Sequence, residues 1–154
     1  MKRLDHPKPP PAGDDVVRVD LPGRDPTWLR APTDPIHCAA ILEAVGTVKG
    51  VGPQRAAMAA VIGYCWVPVT ERPETPRPDL DATEPRTIAM VYGAAVLREL
   101  LAADPPWSFG GIKHAVNKLV PPLNVRIREM ADEAAEILAL EEAAQEREGF
   151  TGPP

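Results

Sequence analysis

The side chains best suited to chemistry in this chain are two cysteines and three histidines: Cys38, Cys65, His6, His37 and His114. Their spacing lacks the paired short intervals of a zinc site, and no local signature joins a thiol to a base and an orienting group. Both cysteines fall inside apolar helical patterns, which is typical of reduced, buried thiols rather than of a disulfide framework. We therefore expect no metal, no cofactor, no disulfide and no enzymatic activity.

A second candidate is the glycine-containing turn at 48–57, which reads apolar-x-Gly-apolar-Gly-x-x-x-Ala. This pattern resembles the helix-hairpin-helix family of DNA-binding proteins. The resemblance implies that Lys49, Gly50, Gly52 and Arg55 contact a DNA phosphate, helped by backbone amides at a helix N-terminus. The same glycines, followed by proline, also suit a tight turn between two helices that binds nothing. Both interpretations stay open.

Length and charge limit the kind of molecule that can hold these residues. A chain of 154 residues with 20 prolines supports one domain with extended ends. Its formal net charge of -5 disfavours a general affinity for nucleic acid or for an anionic membrane. No apolar run approaches the roughly 18–20 residues of a membrane helix, and the N-terminus lacks the apolar core of a secretory signal. We expect a soluble, intracellular protein that does not contact membranes.

The N-terminal part of the chain predicts an arm and a hairpin. Residues 1–15 are polar and Pro-rich, which favours an extended arm. Residues 16–31 contain alternating apolar positions, a Pro/Gly turn and a second short apolar run, a pattern typical of a β-hairpin. Because a lone hairpin is marginal in water, we expect this one either to lie against the helices or to lend its edge to another chain. The predicted partner-binding residues are Val17, Val19, Leu21, Trp28 and Leu29.

The remainder of the chain predicts about five helices separated by proline. Helical spacing and capping signals place them at 35–48, 53–66, 86–103, 108–119 and 123–149. Pro121-Pro122 is expected to end the fourth helix, since proline lacks the N–H that a helix interior needs. The third helix is apolar on two faces, so we expect the centre of the core there.

The predicted fold class is therefore mainly α: a small bundle of about five helices with an N-terminal β-hairpin and a Pro-rich extended arm. A single domain is expected at 16–150, with the hairpin at 16–31 and an exposed Pro-rich loop at 67–86. The arm at 1–15 precedes it and a short tail at 151–154 follows.

The last predicted helix is amphipathic and strongly acidic. Ile127, Met130, Ala134 and Ile137 or Leu138 form an apolar stripe, whereas the interval 129–148 holds eight acidic residues and only one basic residue. Such a one-signed face can limit self-association or attract a basic partner. It can also imitate nucleic acid and inhibit a protein that binds it, a role that replacing Glu141 and Glu142 by lysine would abolish.

Several segments together suggest a biological setting. They are the strand Val16 to Leu21 with the run from Trp28, the helix end Gly63-Tyr64-Cys65-Trp66, the helix Tyr92-Gly93-Ala94-Ala95, and the closing Glu148-Gly149-Phe150. This layout resembles small morphogenesis proteins of tailed bacteriophages, including tail assembly chaperones and minor virion components.

The resemblance implies a non-enzymatic assembly or structural protein that binds other protein chains in a homo- or hetero-oligomer. Its location would be the bacterial cytoplasm during synthesis, with the virion as a further destination. A DNA-binding module and an acidic inhibitor or nucleic-acid mimic are the alternatives.

Overall fold

The computed structural model describes residues 16–67 and 73–151, without the side chains of 148–151. Strands β1 (Val16–Val19) and β2 (Thr27–Arg30) precede four helices. These are α1 (Pro35–Thr47), α2 (Val51–Tyr64), α3 (85–102) and α4 (Phe109–Thr151). The predicted mainly α class with an N-terminal hairpin is confirmed, although the number of helices differs. The predicted arm at 1–15, part of the loop at 68–72 and the last residues 152–154 lie outside the described residues.

The hairpin is built into the body of the domain. β1 and β2 pair antiparallel, with Val16 opposite Arg30 and Val19 opposite Thr27. On its other edge β2 meets the end of α2: the Arg30 amide donates to the Cys65 carbonyl at 2.7 Å, and the Val67 amide donates to the Trp28 carbonyl at 2.9 Å. Both edges of β2 are therefore occupied.

Local capping explains where α1 and α2 begin. The Asp34 side chain accepts a hydrogen bond from the Ile36 amide at 2.9 Å, and Pro35 occupies the first turn of α1. Gly50 has φ +97°, a conformation that favours glycine, and it caps the start of α2. For this reason α2 begins at Val51, two residues before the predicted Pro53.

The centre of the core is α2, so the expectation that it would be the 86–103 helix is wrong. α2 contacts α1, α3 and α4. Small side chains on several of its faces allow its neighbours to approach closely. The buried residues of α2 are Ala56, Ala57, Ala59, Ala60, Val61, Ile62 and Gly63.

α3 packs against α2 through two glycines. It consists of a short α-helical turn (Pro85–Thr87), a π-helical segment (Ile88–Gly93) and a further α-helical segment (Ala94–Ala102). A Cβ atom on Gly93 would lie 2.1 Å from the Ala56 carbonyl oxygen, and one on Gly63 would lie 2.8 Å from Val96. The close approach of the two helices therefore requires glycine on each of them.

α4 is one continuous helix, so the predicted break at Pro121-Pro122 is wrong. The two prolines deprive the carbonyls of Asn117 and Lys118 of helical partners, but both of these residues are exposed and water can serve instead. Leu119 and Leu123 are fully buried on either side of the prolines, one helical turn apart. Packing of both turns on the same core holds them in register.

The described part of the Pro-rich loop is attached to the domain. Glu99 of α3 accepts hydrogen bonds from the amide of Glu74 at 2.5 Å, the amide of Thr75 at 3.2 Å and the Thr75 hydroxyl at 2.5 Å. Burial raises the pKa of Glu99, but these hydrogen bonds outweigh it and hold the pKa below its ordinary value. Arg77 donates to the Trp66 carbonyl at 2.6 Å, and Leu80 is buried. The predicted exposed connection is thus anchored along 73–84.

Candidate functional site

The most distinctive surface of the domain is the second half of α4. The first half packs against α1, α2 and β1, with Ile112, Leu119 and Leu123 fully buried. From 131 to 147 every residue is exposed, over a length of about 25 Å. This part of the helix therefore extends beyond the core, and we call it the distal segment.

An apolar stripe runs from the core onto the distal segment. It follows the spacing predicted from the sequence and consists of Ile127, Met130, Ala134, Ile137 and Leu138, which we call the stripe. Ile127 and Met130 are half-buried, whereas Ile137 is 50% and Leu138 is 58% exposed. Because side chains three and four residues apart share one helical face, the stripe continues the face that Leu123 buries in the core.

Acidic side chains flank the stripe on both sides. At 3.6 residues per turn, Glu133 and Glu142 lie about a quarter of a turn from its centre, in opposite directions. Glu141 lies within the apolar face, one turn beyond Ile137. All three carboxylates are exposed. The segment thus presents an apolar strip between negative borders, an arrangement that suits protein docking.

The predicted hairpin contacts are only partly accessible. Val19 and Leu29 are fully buried, so their assignment as partner-binding side chains is wrong: β1 packs on α4, and the end of α2 pairs with the edge of β2. Val17, Leu21 and Trp28 are half-buried. The guanidinium of Arg18 lies 5.8 Å from the centre of the Trp28 ring.

The outer edge of β1 is also partly used within the domain. The Lys118 ammonium of α4 donates to the Arg18 carbonyl at 2.7 Å. Because the carbonyls along a strand point alternately to its two sides, this one faces away from β2. The short edge that remains is a poorer docking site than the hairpin predicted from the sequence.

The α1–α2 turn brings together three of the four predicted phosphate contacts. Lys49, Gly50 and Gly52 are all exposed at the start of α2. A Cβ atom on Gly52 would meet nothing within 4 Å, so no neighbour inside the domain requires glycine at this position. The Gln54 side chain fixes the turn by donating to the carbonyls of Val45 at 2.9 Å and Val48 at 2.6 Å.

The fourth predicted residue, Arg55, has a different contact. Its guanidinium carbon lies 3.6 Å from the centre of the Phe109 ring, at the start of α4. A different cation joins the turn instead: Arg86 lines a depression of about 300 Å³ together with Lys49, Pro53 and Met90. Sequence spacing could not reveal Arg86, because it comes from the next helix.

The described thiols and histidines occupy different environments: both thiols are buried, whereas His114 is exposed on α4. Cys38 lies on α1 and Cys65 directly follows α2. Burial raises the pKa of the Cys65 thiol, and the neighbouring Cys38 raises it further, so the thiol stays protonated at neutral pH. The His37 Nε2 atom lies 3.2 Å from an Asp81 carboxylate oxygen, a contact that ties α1 to the Pro-rich loop. Among the described residues no group of three potential metal ligands is found, and His6 lies outside them.

Two tryptophans that could anchor a ligand belong to the core. The rings of Trp66 and Trp107 pack with their centres 5.9 Å apart and are 6% and 3% exposed. They stabilise the junction of α2, α3 and α4 and offer little surface to a partner.

Neither a search for membrane-spanning helices nor comparison with known proteins assigns a function to this chain. Within the described parts of the chain, no helix is long and apolar enough to cross a membrane. The chain matches no protein-family model, no curated protein and no solved structure.

Proposed function

We propose that this protein is a non-enzymatic assembly protein that docks onto other protein chains through the distal segment of α4. The observation that carries the proposal is the stripe, which leaves the core at Ile127 and ends at Leu138, whose side chain is largely exposed. The resemblance to morphogenesis proteins of tailed bacteriophages provides the proposed setting, with synthesis in the bacterial cytoplasm and the virion as a further location.

The energetics of the distal segment favour a docking role. An isolated helix is marginal in water, and among the described residues this exposed segment is supported chiefly by the packed first half of α4 that it continues. Covering Ile137 and Leu138 on a partner would contribute on the order of 2 kcal/mol from the apolar surface that they still expose. Exposed apolar strips with polar borders are typical of protein interaction sites.

The hairpin takes a smaller part in this proposal than the sequence predicted. Val17, Leu21 and Trp28 remain proposed contacts, because their side chains are only half-buried. Val19 and Leu29 instead support the core. Docking through the arm at 1–15 also remains a proposal.

Site-specific photo-crosslinking tests the docking surface directly. A photo-reactive amino acid replaces Leu138 in the full chain, and the protein is irradiated in the cells that naturally produce it. The matched control carries the same residue at Glu136, which is exposed on the opposite side of the helix. We expect discrete protein–protein adducts from position 138 alone. Equal, diffuse products from both positions would contradict docking through the stripe.

A DNA-binding module is the second candidate, and the free space around Gly52 favours it. Gly52 lies in the first turn of α2, where no neighbour within the domain requires glycine, so close approach of an outside group is one reason to keep it. Lys49 and Arg86 flank the same depression and could each meet a phosphate.

Fluorescence anisotropy with a DNA duplex of roughly 20 base pairs tests whether the protein binds DNA through this turn. Two phosphate contacts predict about tenfold weaker binding between about 50 and about 200 mM salt. The pair Lys49→Ala and Arg86→Ala should abolish binding, whereas Arg55→Ala should change it little, since that guanidinium lies on Phe109. Unchanged binding by the double variant would rule out the turn as a DNA site.

A further inference from the structure

We infer that the stripe is occupied by a basic amphipathic helix of a different protein chain. The inference rests on the proposed docking function and names the chemistry of the partner. It follows from the shape of the stripe, the charges beside it and the carboxylate within it.

The stripe has the dimensions of a helix–helix contact. From Ile127 to Leu138 it covers about 17 Å of helix axis, or three turns. Ala134 lies at its middle, between Met130 and Ile137, and its small side chain leaves a gap that a large apolar side chain of a partner helix can fill. An extended peptide would leave its own backbone groups without partners on this surface, because a helix offers no free edge.

The charges beside the stripe select against a second copy of this chain. Between 126 and 147 there are seven acidic and three basic residues, which gives this interval a net charge of -4. Pairing of two such helices would bring a net charge of -4 against another of -4, and this like charge opposes association. Lysine or arginine on a partner beside Glu133 and Glu142 would neutralise them instead.

Glu141 defines one further feature of the partner. It extends the apolar face by one turn, where docking would remove it from water. Covering an unpaired carboxylate is costly, so a matching helix must supply a lysine or an arginine opposite Glu141. The expected partner pattern is therefore a large apolar residue against Ala134 and a basic residue about two turns away.

Synthetic helices and the full chain test this inference. The probe is a peptide of about three heptads with leucine at the a and d positions and lysine at the flanking e and g positions. The matched control peptide carries glutamate at the flanks. Titration calorimetry should show that the lysine peptide binds at least about a hundredfold more tightly than the glutamate peptide.

Variants of the chain separate the two parts of the surface. Replacing Ile137 and Leu138 together by asparagine should weaken binding of the lysine peptide at least about tenfold, whereas Val91→Asn, at an exposed apolar position of α3, should not change it. Glu133→Gln with Glu142→Gln should weaken binding severalfold and reduce its salt dependence. All of these side chains are exposed, so circular dichroism should show an unchanged fold.

Four results would overturn the inference. The first is failure of the lysine peptide to bind, and the second is equal affinity for the lysine and the glutamate peptides. Binding that survives loss of Ile137 and Leu138 would indicate contact through charge alone, as in a nucleic-acid mimic. A dimer in sedimentation equilibrium that Ile137→Asn dissociates would make the second copy the occupant. Crosslinks from position 138 would still support docking in each case, and their absence would remove the proposed function as well.

Discussion

Gly93 determines how closely α2 and α3 approach each other. Its α-carbon faces the backbone of Ala56, and an added methyl group would lie 2.1 Å from the carbonyl oxygen and 2.7 Å from the carbonyl carbon. Neither atom can rotate away, in contrast to the end of a flexible side chain. The close contact lies at the end of the π-helical segment, which buries Ile88, Ala89 and Tyr92 as well.

Replacement of Gly93 by alanine should therefore destabilise the domain by about 3 kcal/mol. For a chain of this size that corresponds to a fall in Tm of roughly 6–12 °C. Gly52→Ala is the matched control, because its Cβ meets nothing within 4 Å and the substitution should raise stability by up to about 1 kcal/mol. Thermal unfolding followed by circular dichroism measures both, and equal melting temperatures would contradict the packing argument.

At the scale of elements, α4 shows that long-range packing can override a strong local signal. Pro121-Pro122 predicts an end to the helix, and local reasoning offers no alternative. The same sequence also places Leu119 and Leu123 at helical spacing across the two prolines, a pattern compatible with one helix or two. Only the shared packing surface, with both leucines fully buried, makes the helix continuous.

Replacement of Pro121 and Pro122 together by alanine should stabilise α4, because it restores two backbone hydrogen bonds. We expect Tm to rise by several degrees, with the gain reduced by the greater freedom that alanine gives the unfolded chain. Ellipticity at the helical minimum should change little, since the helix already continues through this point. A large increase in helical signal would instead indicate two separate helices in solution.

At the scale of the whole molecule, local sequence patterns predicted where helices and strands form better than they predicted which side chains are buried. Alternation in the hairpin, Asp34-Pro35 at the start of α1 and glycine in the α1–α2 turn all predicted the observed elements. Alternation alone could not show that Val19 and Leu29 face inward, because that depends on α4, which comes about ninety residues later. The apolar stripe of α4 was visible in the sequence, but its exposure was not.

The hairpin supports the domain, and truncations should show this. Removal of residues 1–15 should leave cooperative unfolding intact, because every described contact is retained. Removal of residues 1–32 takes away the fully buried Val19 and Leu29, each worth about 2–4 kcal/mol, and uncovers the surface of α4 beneath them. We expect the longer deletion to lose its cooperative thermal transition. Equal melting temperatures of the two truncated chains would show that the hairpin does not stabilise the domain, and would favour a peripheral docking role for it.

The exposed distal segment has a consequence for the lifetime of the protein in a cell. An exposed helical segment with little packing against the described residues opens locally at little cost, so proteases can cleave 131–147 while the rest of the domain stays folded. A bound partner would suppress this opening by mass action. Chains made in excess of their partner would then be degraded first, and the amount of intact protein would follow the supply of partner without any dedicated regulator.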